Sequence, residues 1–178
     1  MIDQEDIDFF HDYLESSTLK SLKISTLPTL RIYHPQHQST YEDLPVSTDF
    51  DALRLSLIHA TFNPLTSPQT LNARSTLKLF QFNTPMLMLF NTSITEIEYQ
   101  TLRKKIMIAK VNISDEVGVK VRGLAGVPDG ADVKEVRIVD PNPGSSKVIR
   151  YRWGGEVPIV EWVEQYIRGE LKPMMKTE

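Results

Sequence analysis

The sequence predicts an α/β protein in which a central mixed sheet is flanked by helices, and it predicts two such units in tandem. From Leu71 onward, segments with helical spacing alternate with short apolar runs, which is typical of a sheet covered by helices on both faces. Two strand-like segments then follow each other directly, so we expect an antiparallel edge on a partly parallel sheet. A near-repeat supports the tandem: Leu30-Arg31-Ile32-Tyr33-His34-Pro35 returns 106 positions later as Val136-Arg137-Ile138-Val139-Asp140-Pro141. That spacing fits a small domain, with the first copy incomplete.

The predicted elements of the first unit are two short strands between two helices. They are a helix over about 5–20, a strand over 27–33, a short strand over 39–41 and a helix that begins near Thr48. The following segment, Asn63-Pro64-Leu65-Thr66-Ser67-Pro68, has the composition of a domain boundary.

The second unit is predicted to run α-β-α-β-α-β-β-α. Its predicted helices cover about 71–82, 93–105, 115–124 and 159–167, and its strands 86–90, 106–113, 135–139 and 147–153. The run 86–90 is continuously apolar, as in a strand buried on both faces. Ser93 with Glu96 is interpreted as a capping box that opens the second helix. The last helix is the clearest element, because its apolar residues recur at i, i+3, i+4, i+7 and i+8.

The composition excludes several classes of function. Hydrophobic residues make up 40% of the 178 residues, which is enough for a core in each unit. The net charge of −3 argues against a nucleic-acid-binding protein, and no apolar run reaches membrane-spanning length. The absence of cysteine excludes thiol redox chemistry, a cysteine nucleophile, zinc–thiolate sites and disulfides. No motif for a cofactor is present, so we expect none.

The predicted order of elements is that of the thioredoxin fold, and two stretches resemble the protein disulfide isomerase family. Ser25-Thr26-Leu27-Pro28-Thr29-Leu30 resembles the family segment in which a cis-proline precedes an apolar strand, which makes Pro28 the candidate structural cis-proline. The segments 136–141, 151–156 and 167–173 resemble the end of the second non-catalytic (b′) domain. The position that matches Pro28 in the second copy is Lys134, and the Cys-x-x-Cys motif of the catalytic domains is absent.

The resemblance implies a domain organisation and a location. Residues 1–63 would be part of a b-type thioredoxin-like domain, 66–173 a whole b′-type domain and 174–178 the start of a linker. The family works in the lumen of the endoplasmic reticulum, so the resemblance implies that location.

The resemblance also implies a function, namely binding of unfolded polypeptides and scaffolding without catalysis. In this family the b′ domain binds clients in an apolar pocket between the sheet and two helices. The residues on the matching elements are Phe80, Phe82, Met86, Met88, Val121 and Leu124. Most of them also fit an ordinary core, because apolar stripes are usually interior. The alternative function is a structural adaptor that binds one partner protein. An enzyme is disfavoured, since no acid–base or nucleophile constellation is present, and neither nucleic acid nor membrane is an expected partner.

Two further motifs have ordinary interpretations. His34 and His37 share a turn without nearby carboxylate or thiol ligands, so a solvated loop is favoured over a metal site. Asn91-Thr92-Ser93 and Asn112-Ile113-Ser114 are glycosylation sequons, compatible with a secretory protein but close to chance in number. Because Asn112 ends an apolar strand, we expect its side chain to be inaccessible.

Overall fold

The computed structural model describes residues 21, 29–33, 41–44, 46, 48–72, 83–130, 133–141 and 148–174. The chain divides into two compact units, Met1–Thr61 and Phe62–Glu178. Within the described ranges, no helix combines the length and apolar character needed to cross a membrane.

The structure describes one antiparallel strand pair and one complete helix in the first unit. Its elements are β1 (Leu30–Tyr33), β2 (Tyr41–Leu44) and α1 (Phe50–Phe62), whose last residue begins the second unit. Ile32, Leu44 and Ala60 form a small buried cluster against which Leu30 and Leu57 pack. The predicted helix over 5–20, the His34/His37 turn and Pro28 lie outside the described residues.

The second unit is built on a five-stranded mixed sheet. Its strands are β3 (Gln69–Thr70), β4 (Met86–Phe90), β5 (Met107–Val111), β6 (Glu135–Pro141) and β7 (Val148–Arg152), in the spatial order β3-β5-β4-β6-β7. The first three strands are parallel, and β6 and β7 continue the sheet antiparallel. This confirms the predicted α/β class and the thioredoxin-like fold. The two-residue β3 was not predicted, because so short a strand has no periodicity to detect.

Both copies of the near-repeat form the same kind of element. Each is the first strand of an antiparallel pair, β1 with β2 and β6 with β7, and each pair is followed by a helix. The sequence similarity therefore reflects a shared local structure.

The helices of the second unit cover opposite faces of its sheet. Those in the described residues are α2 (Glu96–Leu102), α3 (Glu116–Ala125) and α4 (Ile159–Ile167), whereas most of the helix predicted over 71–82 lies outside them. One face holds a cluster that joins the sheet to α2 and α4; its members are Leu87, Leu89, Tyr99, Leu102, Ile106, Ile108, Val136, Ile138, Ile159, Trp162 and Val163. Side chains alternate along a strand, so Met86 and Met88 lie on the other face. That face carries α3, because the Arg150 guanidinium there donates to the carbonyl oxygen of Leu124 at 2.6 Å.

The helix caps correct one sequence-based prediction. The capping box at α2 is Thr95 with Glu98, not Ser93 with Glu96: the Thr95 hydroxyl accepts from the Glu98 amide, and the Glu98 carboxylate accepts from the Thr95 amide. The predicted and the observed capping boxes are offset by two residues, and α2 begins at Glu96, six residues after the end of β4. Asp115 caps α3 by accepting from the amide of Gly118.

Asn63 connects the start of the second unit to the beginning of β5. Its side-chain amide donates to the carbonyl oxygens of Arg103 and Ile106 at 2.6 and 2.8 Å and accepts from the Ile108 amide at 2.8 Å. The residue is completely buried. The sequence marks this segment as a boundary by its composition, whereas the structure makes its asparagine part of the interior.

Candidate functional site

The topology of the second unit identifies one end of the sheet as the place for a ligand. The connection from β4 to β5 runs through α2 on one face, and the connection from β5 to β6 runs through α3 on the other face. Adjacent parallel strands whose connections leave to opposite faces define a switch point, and open α/β sheets bind ligands at the carboxyl ends of such strands. In this chain that place is the end of β4 and β5.

A cleft of about 430 Å³ lies at this position. We call it the switch-point cleft, and it is lined by Thr70, Leu89, Asn91, Thr92, Ser93, Lys110, Val111 and Asn112. Its volume is within the range of small-ligand sites. Six of these eight residues have hydroxyl, amide or ammonium side chains that form hydrogen bonds, and the lining contains no thiol or carboxylate.

Local backbone geometry shapes the rim of the switch-point cleft. Asn91 has a φ of 47°, a left-handed conformation that asparagine tolerates better than most residues, and it turns the chain sharply after β4. The Asn112 side chain accepts from the Ser114 amide at 3.1 Å, which makes a second turn after β5. Asn91 and Asn112 are both exposed. The expectation of an inaccessible Asn112 is wrong, because β5 ends one residue earlier at Val111.

A second cleft of about 300 Å³ lies beside the start of β6. We call it the arginine cleft, and it is lined by Thr92, Lys134, Glu135, Val136, Arg152, Trp153, Gly154 and Gly155. Thr92 lines both clefts, so they are neighbours at the same end of the sheet. Lys134, the residue in the place of the expected cis-proline, is exposed at this cleft.

Glu135 organises the charges at the arginine cleft. One of its carboxylate oxygens lies 2.9 Å from a guanidinium nitrogen of Arg152, and the other lies 3.1 Å from one of Arg137. The Arg137 side chain is only 1% exposed, and its Nε has no hydrogen-bond partner. Burial lowers the pKa of Arg137, the charge of Glu135 opposes that effect, and the charges of Arg152 and Arg150 add to it. The three arginines and the single carboxylate of Glu135 therefore carry a net positive charge.

A tyrosine pair lies on the opposite face of the β6–β7 hairpin. The Tyr166 hydroxyl donates to the Asp140 carboxylate at 2.7 Å, and the rings of Tyr151 and Tyr166 meet edge to face with centroids 5.0 Å apart. Burial, followed by the hydrogen bond to Asp140, raises the pKa of Tyr166. These contacts fix the hairpin against α4.

The residues predicted to bind clients are only partly placed at a surface. Met86 and Met88 are completely buried and Val121 is 1% exposed, whereas Leu124 is half-buried. Phe80 and Phe82 lie outside the described residues, as does Pro28. Client binding through these side chains therefore stays a prediction, and among the described members it would require movement of buried groups.

Sequence reasoning missed the polar residues that line the two clefts. Lys110 and Arg152 belong to no motif, Thr92 is only the middle residue of a sequon, and the strand order brings all three to one end of the sheet. The signal was the position of each residue just after or at the end of a strand, which is informative once the topology is known. In the described part of the chain, no group of three acidic or histidine side chains could hold a metal ion.

Comparisons with known proteins add a distant structural likeness. No protein-family model matches the chain, and no curated protein sequence matches it. The crystal structure of full-length ERdj5 resembles it with a TM-score of 0.42 and 14% sequence identity. The likeness covers 86% of this chain but 23% of the ERdj5 chain. The thioredoxin-like fold of the second unit rests on its own strand order.

Proposed function

We propose that the chain is a non-catalytic polypeptide-binding module of a protein disulfide isomerase-like protein in the endoplasmic reticulum lumen. The observation that carries this proposal is the pair of adjoining clefts at the switch point of a thioredoxin-like sheet in a chain without cysteine. A ligand held there meets no thiol, so the module holds polypeptide segments and does not exchange disulfides.

The lining of the switch-point cleft suits an extended main chain. The side chains of Asn91 and Asn112 offer both donors and acceptors, and Thr92 and Ser93 add hydroxyl groups. Leu89 and Val111 are almost completely buried, so they contribute little apolar area to a ligand. Because binding must also offset the lost freedom of both partners, we expect modest affinity and little dependence on the sequence of the client.

The experiment is a nuclear magnetic resonance titration of the full chain with a permanently unfolded, carboxymethylated polypeptide. Binding in the clefts shifts the backbone amides of 91–93, 110–112 and 152–155. Ser93→Trp, which fills the rim of the switch-point cleft, should weaken the titration several-fold, while Thr101→Trp on the exposed side of α2 should not. The absence of any shift at saturating polypeptide would refute client binding.

The same titration separates the clefts from the apolar residues of the sequence-based hypothesis. If clients insert between the sheet and α3, the largest shifts fall on Met86, Met88, Val121 and Leu124, and Phe82→Arg abolishes them. If they bind at the clefts, Phe82→Arg leaves the cleft shifts unchanged.

The second candidate function is an adaptor that binds one folded partner. It is favoured by the complete burial of Met86 and Met88, because these side chains are then not accessible to a client. It is also favoured by the charged group around Glu135. An adaptor gives no titration with unfolded polypeptide. A photocrosslinking amino acid placed at Ser93 would then trap a single protein species in cells, whereas a client-binding module would trap many.

A further inference from the structure

The β6–β7 hairpin of the second unit collects positive charge. By register, Arg137, Arg150 and Arg152 lie on the same face of the hairpin, and Lys134, just before β6, lines the arginine cleft with Arg152. Among the described residues, Glu135 is the only carboxylate that forms an ion pair with any of these four cations. This excess occurs in a chain whose net charge is −3. A local field opposite in sign to the whole molecule attracts negatively charged ligands to that place.

The near-repeat allows a comparison inside the chain. Arg31 and Arg137 occupy the same position in the two copies, and each faces a residue on the neighbouring strand: Asp43 in the first copy and Arg152 in the second. Arg31 makes a two-pronged contact with Asp43, with nitrogen–oxygen distances of 2.6 and 2.9 Å. That hydrogen bond raises the pKa of Arg31, whereas burial lowers the pKa of Arg137. In the first copy the paired strand supplies a carboxylate opposite the arginine, whereas in the second copy the paired strand has a second arginine at that position.

Glu135 compensates for this only in part. One of its oxygens contacts Arg137 and the other contacts Arg152. A single negative charge is thus shared between two positive guanidinium groups and cannot neutralise both. Arg150 is directed away from it and toward the Leu124 carbonyl of α3. The Arg152 side chain remains 59% exposed and, with Lys134, it lines the arginine cleft. A guanidinium has five donors in a planar fork, so Arg152 retains donors for a second carboxylate.

We propose that the arginine cleft binds a single carboxylate of a partner polypeptide, held by Arg152 and Lys134 above the buried Glu135–Arg137 pair. The volume of about 300 Å³ accommodates a side chain with its flanking main chain. Trp153 offers a ring beside the charged groups, and the Thr92 hydroxyl is a further donor. This inference rests on the proposed polypeptide binding and specifies its ligand chemistry.

The test uses the full chain and three short peptides of matched sequence, all acetylated at the amino terminus. The first has a central Glu and an amidated end, the second a central Gln and an amidated end, and the third a central Gln and a free terminal carboxylate. We expect the Glu peptide to bind about fivefold more tightly than the uncharged one at low salt, and the preference to shrink as salt screens the pair. Shifts should centre on Lys134, Gly154 and Gly155. Tight binding of the third peptide instead would assign the carboxylate to a chain terminus.

Two variants tie the preference to the cleft. Arg152→Gln should bind the three peptides equally, and Arg152→Lys should keep part of the preference because it retains the charge but loses the fork. Arg168→Gln is the matched control, since it removes the same charge from an exposed side chain of the same unit that pairs with Glu161 and Glu170.

The outcomes separate this inference from the proposed function. If the unfolded polypeptide binds but the wild-type chain binds all three peptides equally, the carboxylate site is refuted and polypeptide binding stands. If neither the polypeptide nor any peptide binds, both are refuted. A preference that persists in Arg152→Gln would also overturn the assignment.

Discussion

Replacing Asn63 by alanine tests the link between the start of the second unit and the beginning of β5. The substitution leaves two carbonyl groups and one amide without their partners at a completely buried position. Each buried polar group without a partner costs about 1–3 kcal/mol. Even at the low end of that range, we expect the free energy of unfolding of this unit to fall by about 3 kcal/mol, which is a large share of the stability of a small domain.

Urea unfolding followed by tryptophan fluorescence measures this loss directly. Both tryptophans of the sequence, Trp153 and Trp162, belong to the second unit, so the signal reports on that unit alone. Asn112→Ala is the matched control, because its exposed side chain makes one local hydrogen bond and should cost less than about 1 kcal/mol. Asn63→Asp should be as harmful as Asn63→Ala, since a carboxylate has no N–H for the two carbonyls. A loss below about 1 kcal/mol for Asn63→Ala would refute the reasoning.

Three further predictions concern the helices and the hairpin. Gly118→Ala should lower the stability of the unit by about 2 kcal/mol, because the new Cβ would lie only 1.7 Å from a backbone carbonyl oxygen after β5. In the same helix, the Cβ of Gly123→Ala would meet nothing within 4 Å, so this variant should raise the stability by up to about 1 kcal/mol. Thermal melts in which both variants change the stability in the same direction would contradict this. Thr95→Ala should cost about 1 kcal/mol and Ser93→Ala almost nothing in the same melts, while the reverse order would restore the capping box predicted from sequence. The pKa of Tyr166 is raised above 10.0 in the folded state, so folding retains its proton and the stability should decline as pH rises above about 10. The Tyr166→Phe variant should be about 1 kcal/mol less stable at neutral pH, and its stability should decline less steeply with rising pH. If the stability of both proteins declines equally above about pH 10, this hydroxyl is not responsible.

The elements predicted well from sequence are those whose side chains carry the signal themselves. The run 86–90 forms β4 with the predicted bounds and is completely buried, and the apolar stripe of the last helix forms α4 over Ile159–Ile167. In both cases burial of apolar side chains determines the structure, and burial is what periodicity measures.

The elements that were missed depend on contacts between distant parts of the chain. The strand β3 is only two residues long and exists because β5 pairs with it. Asn63 lies in a segment with the composition of a loop, and its partners come from β5 and the turn before it, more than 40 positions away for Ile106 and Ile108. The clefts follow the same rule: Thr92, Lys110 and Arg152 are separated in sequence and meet only through the strand order.

The switch-point cleft has a consequence for how the protein is produced. Its rim carries the acceptor asparagines of both sequons, Asn91 and Asn112, and both are exposed. A bacterial host leaves these side chains bare, whereas a secretory host that uses both sites attaches two sugar chains to the same cleft. Material from the two hosts would present different surfaces at one end of the sheet, so the mass of the purified chain should be determined before any affinity is compared between preparations.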